Sequence, residues 1–262
     1  MPELPEAERS RRAVADGCLN RTIEAAEPGD DVSYIDLPGG NERQRLVGHQ
    51  FTETRRHGKL IFAGAKTGPW IAVHLGMSGR LITFDDGDGA PDHTKFLITF
   101  AGDRRLAFRC PRKLGWLKVV DDPDDFIGDI GFGPDILEIS QDAFVEILAG
   151  TNGAVKSALM AQRKMAGIGN LWSDEILYQV GISPTAKASD ISEAKLRETY
   201  ESAQDILKAV LKVNADYSKL PDDWLIHTRK AGADCPRCGG TIRKKTVGGR
   251  SAFHCPDHQT AP

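Results

Sequence analysis

The chain has 262 residues, a formal net charge of −3, 40% hydrophobic residues and 27% charged residues. These ordinary globular values leave room for one large core or two smaller ones plus a small appended module, and they exclude a uniformly basic nucleic-acid binder. No run is apolar enough for a membrane span, no basic-then-apolar leader is visible, and five cysteines do not suit a disulfide framework at this size, so a cytoplasmic protein is expected.

Met1-Pro2-Glu3-Leu4-Pro5-Glu6 opens the chain. A small residue at position 2 normally allows removal of the initiator Met, which would leave Pro2 with a free secondary amine. Such an amine condenses with an aldehyde-like carbon to give an iminium directly, and a carboxylate beside it, here Glu3, can take up or relay the proton. Taken alone, a Pro-rich start is more commonly a frayed terminus. Glu6–Leu19 reads as a helix. Short β-rich runs follow, at residues 51–54, 60–63, 70–73, 80–84, 95–100, 105–108 and 116–119, separated by Gly, Asp and Pro clusters. Their near-regular spacing predicts a β-sandwich or barrel.

A boundary falls near Gly131-Phe132-Gly133-Pro134, where the pattern turns helical. Helices are expected over 141–149, 154–161, 171–180, 191–200 and 202–213, with Ser189-Asp190 as a cap of the fourth. The last segment is rich in Cys, Gly and basic residues. Acidic residues collect in 27–31, 85–92, 121–129 and 135–142, and basic ones in 55–59, 104–118 and 237–250, so one face can be basic despite the net charge.

Several constellations carry chemistry. Cys235-Pro-Arg-Cys238 and Cys255-Pro-Asp-His258 are two knuckles whose ligands together complete a tetrahedral structural zinc site, with one Zn2+ expected; His254 is a neighbouring alternative, but only His258 keeps the two-residue gap. Gly248-Gly249 before Arg250 allows a tight turn presenting a guanidinium, either as a solvated charge or as a fork for phosphate oxygens. Gly167-Ile168-Gly169-Asn170 before a helix fits an anion-binding helix start capped by Asn170, or a plain helical corner. Lys59, on an Arg-rich turn, is either a surface charge or a cation reaching into a cleft. Met77, in the glycine-flanked turn His74–Gly79, is either core or an exposed apolar wedge.

The octet Met1–Glu8, the string Ala166–Glu175 with Gly181-Ile182-Ser183-Pro184, the turns at Lys59, Met77 and Cys110–Gly115, and the zinc ribbon occur together and in order. The chain resembles the formamidopyrimidine-DNA glycosylase / endonuclease VIII family along essentially its whole length. The resemblance implies an α+β multidomain protein: an N-terminal β-sandwich with a flanking helix (residues 1–133), a helix–two-turn–helix DNA-binding domain (134–224) and a C-terminal β-hairpin zinc finger (225–262). It further implies a bifunctional DNA glycosylase and AP lyase of base excision repair, acting in a bacterial, nucleoid-associated setting as a monomer on damaged double-stranded DNA. The same fold without turnover, a damaged-DNA or abasic-site binding protein, is the alternative.

By that resemblance Pro2 is the nucleophile, Glu3 and Lys59 handle protons, and Arg250 grips phosphates at the lesion. Glu6 and Glu175 support the catalytic cleft. Met77, Arg112 and Leu114 fill the gap left by the extruded nucleotide, while His74, His93, Lys113, Lys156 and Asn170 contact DNA. Leu114 replaces an intercalating Phe, Cys110 the usual Asp, Trp172 a Tyr, and His258 a Cys. The stretch 217–234 is short for the lid that closes over 8-oxoguanine, so formamidopyrimidines or oxidised pyrimidines are the expected substrates ahead of it.

Overall fold

The computed structural model describes residues 2–260; Met1, and with it the question of its removal, lies outside the described residues. The chain divides into two compact units, one ending at Gly131 and the other starting at Phe132, so the cysteine-rich segment falls in the same unit as the helices.

In the first unit, α1 (Leu4–Cys18) starts at Glu3, with Pro5 in its first turn where a missing N–H costs nothing. Its buried residues Leu4, Ala7, Val14 and Cys18 recur at helical spacing. The strands β1 (Ile23–Pro28), β2 (Glu53–His57), β3 (Leu60–Gly64), β4 (Trp70–His74), β5 (Arg80–Asp85), β6 (Thr94–Phe100), β7 (Arg104–Arg109) and β8 (Trp116–Val120) form two antiparallel sheets ordered β1-β6-β7-β5 and β2-β3-β4-β8. Ile61, Ile71, Val73 and Leu117 from one sheet and Phe96, Phe100, Leu106 and Phe108 from the other share one core. The expected sandwich is present: six of the seven expected strands end within one residue of their place, the run expected at 51–54 is shifted to Glu53–His57, and β1 was not anticipated.

Two helices of this unit were not anticipated: α2 (Gly40–Gln44) and α3 (Pro123–Ile130). The second arises from an acidic run. Asp122 caps it by accepting from the amides of Asp124 and Asp125, Pro123 opens it, and Gly131 ends it with φ of 67°. Its Phe126 then packs edge-on against Phe62 and Trp116, covering the outer face of β3, which is buried along its whole length.

The second unit contains α4 (Gln141–Ala149), α5 (Val155–Leu159), α6 (Asn170–Gln179) and α7 (Glu193–Lys212), then the hairpin β9 (Arg243–Val247) and β10 (Arg250–His254). The two helices expected over 191–213 are one. Glu201-Ser202 contains no breaker, and the cap is Ser192, not Ser189-Asp190. Its buried positions Leu196, Thr199, Ala203, Ile206, Leu207 and Val210 hold a single stripe through the supposed break. No helix of the described residues is long and apolar enough to cross a membrane.

Candidate functional site

Pro2 is half-buried and immediately precedes Glu3, which is 1% exposed. The Glu3 amide donates to Glu6 Oε2 at 2.8 Å and its carbonyl accepts from Ala7 at 3.1 Å, so the peptide that follows Pro2 is fixed by the first turn of α1. Glu6 therefore fixes the peptide that joins Pro2 to Glu3. Lys59 sits in the two-residue turn Gly58-Lys59 between β2 and β3, with φ of 56° at Gly58; Arg55 to His57 belong to β2 itself. Leu60 pairs with His74 across β3 and β4, which brings the Lys59 turn to the end of β4.

His74 does not serve as a cation. Burial, and after it the Lys59 charge, pushes its imidazole down to about 4. Its Nδ1 accepts from the Gly76 amide at 3.2 Å, and the ring stacks on Trp116 at 5.7 Å. The Met77 turn that follows is closed by Gly79 donating to Leu75. At Gly76 (φ 60°) a Cβ would overlap the Leu114–Gly115 peptide, and a Cβ at Gly115 would meet the His74 carbonyl. Only backbone fits there, so the turn bearing Met77 lies directly against the loop bearing Arg112 and Leu114. The Arg112 amide also donates to Ser78 Oγ at 3.4 Å, while Arg112 and Leu114 are exposed. His93 is exposed with φ of 62°, and its carbonyl accepts from Cys110. The structure thus gathers Met77, His93, Arg112 and Leu114 on one set of loops. Lys113 lies among them, but its ammonium rests on Asp31 at 2.6 Å.

In the second unit the glycine turn is held by Gln162, whose amide donates to the carbonyls of Met160 and Ile168 and accepts from Gly167. Gly169 is the cap of α6 and Asn170 its first residue, so the expected cap role for Asn170 is corrected; its Oδ1 is buried with no hydrogen-bond partner. Lys156 requires a larger correction. It is fully buried, and its Nζ donates to Asp174 Oδ1 at 2.7 Å, Ser173 Oγ at 2.9 Å and the Asn170 carbonyl at 3.0 Å. An ammonium with three internal acceptors is not presented to phosphate; it holds the start of α6. Glu175 is also inside: its carboxylate accepts from the amides of Leu225 and Ile226 and from Gln179. Burial raises its pKa, and those three hydrogen bonds oppose the rise. Its hydrogen bonds hold the segment leading to the hairpin.

Sequence reasoning missed Asp174. Besides Lys156, its carboxylate accepts from Arg229 Nε at 3.0 Å, Arg229 Nη2 at 2.7 Å and the Phe253 amide at 3.1 Å. The Arg229 guanidinium lies over the Phe253 ring. The Asp-Glu pair in α6 was visible, but nothing local marks which of two adjacent carboxylates turns to a cation 18 residues earlier in sequence.

The hairpin turn Gly248-Gly249 has φ of 55° and 74°, as a two-residue turn of this hand requires, and leaves Arg250 exposed. A Cβ at Gly248 would crowd Ser157 Oγ, so the turn lies on α5. Behind it, one sulfur each from Cys235, Cys238 and Cys255 and one nitrogen from His258 lie within 4.8 Å of one another, a group that could hold a metal ion. His258 Nε2 is 3.1 Å from the Tyr178 carbonyl, an arrangement that directs a lone pair on Nδ1 toward the sulfurs. His254 is not part of this group.

Two measurements check these contacts. Asp174→Ala strands the buried Lys156 charge and should destabilise the second unit by about 3–5 kcal/mol in denaturant titration, with part recovered in Asp174→Ala/Lys156→Met. A loss under 1 kcal/mol, on the order of a surface pair, would refute the hub. For His74, the unfolded imidazole takes a proton near pH 6.5, about its ordinary value, while the folded one refuses it until about 4. Stability contributed by the neutral ring is therefore complete above pH ~6.5 and drains away as the pH falls toward 4. The Tm of His74→Gln should fall less between pH 7 and pH 5 than that of the parent; parallel curves would contradict the assignment.

Comparison with known proteins adds to this geometry. The Formamidopyrimidine-DNA glycosylase N-terminal domain matches residues 1–117, and the Formamidopyrimidine-DNA glycosylase H2TH domain matches residues 130–222. The chain is 30% identical to the Formamidopyrimidine-DNA glycosylase of Ruegeria pomeroyi, over 99% of this chain and 100% of that one. It is 32% identical to that of Methylococcus capsulatus, over 98% of each. Its fold is similar to that of Lactococcus lactis formamidopyrimidine-DNA glycosylase bound non-covalently to DNA containing an AP site, with TM-score 0.86, 23% identity and 97% and 98% of the two chains covered. MutM in complex with DNA containing carbocyclic 8-oxo-G gives 0.87 at 24% identity, over 98% and 99%. By sequence and by fold, the chain belongs to the formamidopyrimidine-DNA glycosylase family.

Proposed function

We propose that this protein is a DNA glycosylase of base excision repair that also cleaves the resulting abasic strand, with Pro2 as nucleophile. The observation that carries the reading is the start of α1: Pro2, a secondary amine once Met1 is removed, lies two residues ahead of Leu4, next to the buried Glu3 whose amide is held by Glu6. Family membership supplies the substrate class, damaged duplex DNA.

In the proposed reaction the Pro2 nitrogen bonds to C1′ of the deoxyribose as the glycosidic C–N bond breaks, and the base leaves with a proton. Opening of the C1′–O4′ bond then gives an iminium. That cation acidifies C2′, whose proton is lost as the 3′ phosphate departs; a second elimination releases the 5′ phosphate. Glu3 and Lys59 are the groups of this unit suited to move those protons. Met77, Arg112 and Leu114 would occupy the emptied stack, and Asn170 and Arg250 would hold the backbone.

The segment before the hairpin bears on substrate choice. Leu225 is fully buried, its amide and that of Ile226 are held by Glu175, and Arg229 is held by Asp174. A strap so fastened favours formamidopyrimidines or oxidised pyrimidines over 8-oxoguanine, whose recognition in the family uses a longer closing lid. The metal group fits zinc. Tetrahedral Zn–S and Zn–N bonds imply ligand–ligand edges of about 3.5–3.8 Å, and the Cys235–His258 and Cys238–Cys255 atom pairs are each 3.5 Å apart. With four protein ligands such an ion holds the hairpin and takes no part in the reaction.

Borohydride trapping on abasic-site duplex should give a covalent adduct with the processed protein. Pro2→Gly should lower it by orders of magnitude, and a stable N-terminal extension should abolish it, both with DNA binding retained. Binding without any adduct in the parent would instead identify a damaged-DNA binding protein. Metal analysis should find one zinc per chain; its removal by chelation should weaken DNA binding at least tenfold and lower Tm, and full binding by metal-free protein would rule the structural role out.

A further inference from the structure

Among the described residues, two large apolar side chains stand out for their exposure: Leu114 at 53% and Tyr34 at 99%. Leu114 belongs to the loop assigned above to the interior of the duplex. Tyr34 lies far from it in sequence, in the 29–39 loop between β1 and α2, yet the two loops are fastened together on both sides of these residues. Before Tyr34, the Asp31 carboxylate meets Lys113 Nζ at 2.6 Å. After it, Asp36 forms a parallel bridge with Trp116, its carbonyl accepts from Leu117 at 3.1 Å, and its carboxylate meets Lys118 at 3.2 Å. Residues 31–36 are thus laid along residues 113–118, with Tyr34 bracketed over the stretch that carries Leu114.

The loop is not slack. Lys95 is 3% exposed, and its ammonium donates to the carbonyls of Asp30 and Asp31 at 2.9 and 3.2 Å. The Gly29 amide donates to the Lys95 carbonyl, and Gly29 approaches the Thr94 backbone so closely that no Cβ fits. Asp31 and Tyr34 have φ of 48° and 66°, in the left-handed region that a bulky residue such as Tyr rarely adopts. His93 and Lys113, in the two neighbouring loops, share that conformation at 62° and 53°. An anchored loop thus holds an aromatic ring in solvent through an unfavourable backbone angle, with no folded-state packing to compensate. Such strain points toward function.

We propose that Tyr34 stacks on a nucleobase beside the gap filled by Met77, Arg112 and Leu114, supplying the aromatic surface that Leu114 lacks. The chemistry of the loop selects a base over a phosphate. Asp30, Asp31 and Asp36 share the loop with Tyr34; Lys95, Lys113 and Lys118 are engaged with it, and residues 29–39 themselves hold no Lys or Arg to draw an anion. An aromatic face accepts any base, and single aromatic-to-Ala changes at stacking platforms typically weaken binding on the order of tenfold. The proposal rests on the reading that the 110–115 loop enters the duplex, and Arg112→Ala tests that reading separately.

The experiment measures affinity for a duplex carrying a stable abasic-site analogue, together with fluorescence of 2-aminopurine placed opposite the lesion or next to it. Tyr34→Ala should weaken binding about tenfold, restore 2-aminopurine fluorescence at one of those positions, and leave both Tm and the salt dependence of binding unchanged; Tyr34→Phe should behave as the parent. Unchanged affinity and fluorescence in Tyr34→Ala, with Arg112→Ala impaired, would overturn the proposal and leave the interface standing. If neither variant is impaired, the interface assignment fails and Tyr34 with it. A loss in Tyr34→Phe as large as in Tyr34→Ala would assign the effect to the hydroxyl and overturn stacking.

Discussion

The Asp174 carboxylate lies where four segments of the second unit meet. It belongs to α6, neutralises Lys156 of α5, accepts from both Nε and Nη2 of Arg229 in the strap, and accepts from the Phe253 amide of β10. Taking these charges out of water is unfavourable unless each finds its partners with good geometry. Here they do, so the glycine turn, the strap and the hairpin can reach only one mutual arrangement without leaving a buried charge exposed to an apolar interior. The helix dictates the rest of this unit from adjacent side chains: Glu175 takes the amides of Leu225 and Ile226, and Tyr178 offers its carbonyl to His258 and its hydroxyl to Cys235 at 3.2 Å. Arg250 gets its position from this chain of contacts.

The first unit reaches comparable definition by sterics. Its functional turns come together because glycine alone tolerates the approach of Gly76 to the Leu114–Gly115 peptide and of Gly115 to the His74 carbonyl. The α1 start uses a third device, a carboxylate folded back on its own backbone. Each arrangement removes a degree of freedom from a group that must meet DNA in one orientation, and preorganisation of that kind lowers the entropic cost of binding.

Legibility in the sequence followed the range of the interactions. Short β-rich runs bounded by Gly, Asp and Pro located seven of the eight strands of the first unit, because β-propensity and turn chemistry are local signals. The helix over 123–130 was equally local, with Asp122, Pro123 and Gly131 as cap, opener and stop, but its acidic composition masked the pattern. The Cys235, Cys238, Cys255 and His258 group was readable from spacing, since each two-residue gap brings a pair of its members together. Lys156 was not: the resemblance suggested phosphate, and only its pairing with a carboxylate 18 residues away turns it inward. Tyr34 carried no pattern at all, because its placement depends on an ion pair to Lys113 and a bridge to Trp116, both formed across the folded unit.

A net charge of −3 is a puzzle for a protein that must hold a polyanion, and the fate of its cations resolves it. Lys156, Lys95 and Arg229 are committed to internal acceptors, and Lys113 and Lys118 to aspartates of the adjoining loop. His74 is neutral at physiological pH. The exposed cations are unevenly placed: Arg112 stands on the 110–115 loop of the first unit, and Arg243, Lys244, Lys245 and Arg250 line the hairpin of the second. Counterion release scales with the number of phosphates neutralised, so the hairpin, with four exposed cations, is the element of the second unit best suited to set the salt dependence of DNA affinity. In the proposed complex Met77, Leu114 and Tyr34 would add contacts to the base stack that salt does not screen. On that proposed reading a damaged site would be distinguished from intact duplex by how readily the stack opens to an apolar wedge, since a disturbed base resists extrusion less than a paired one.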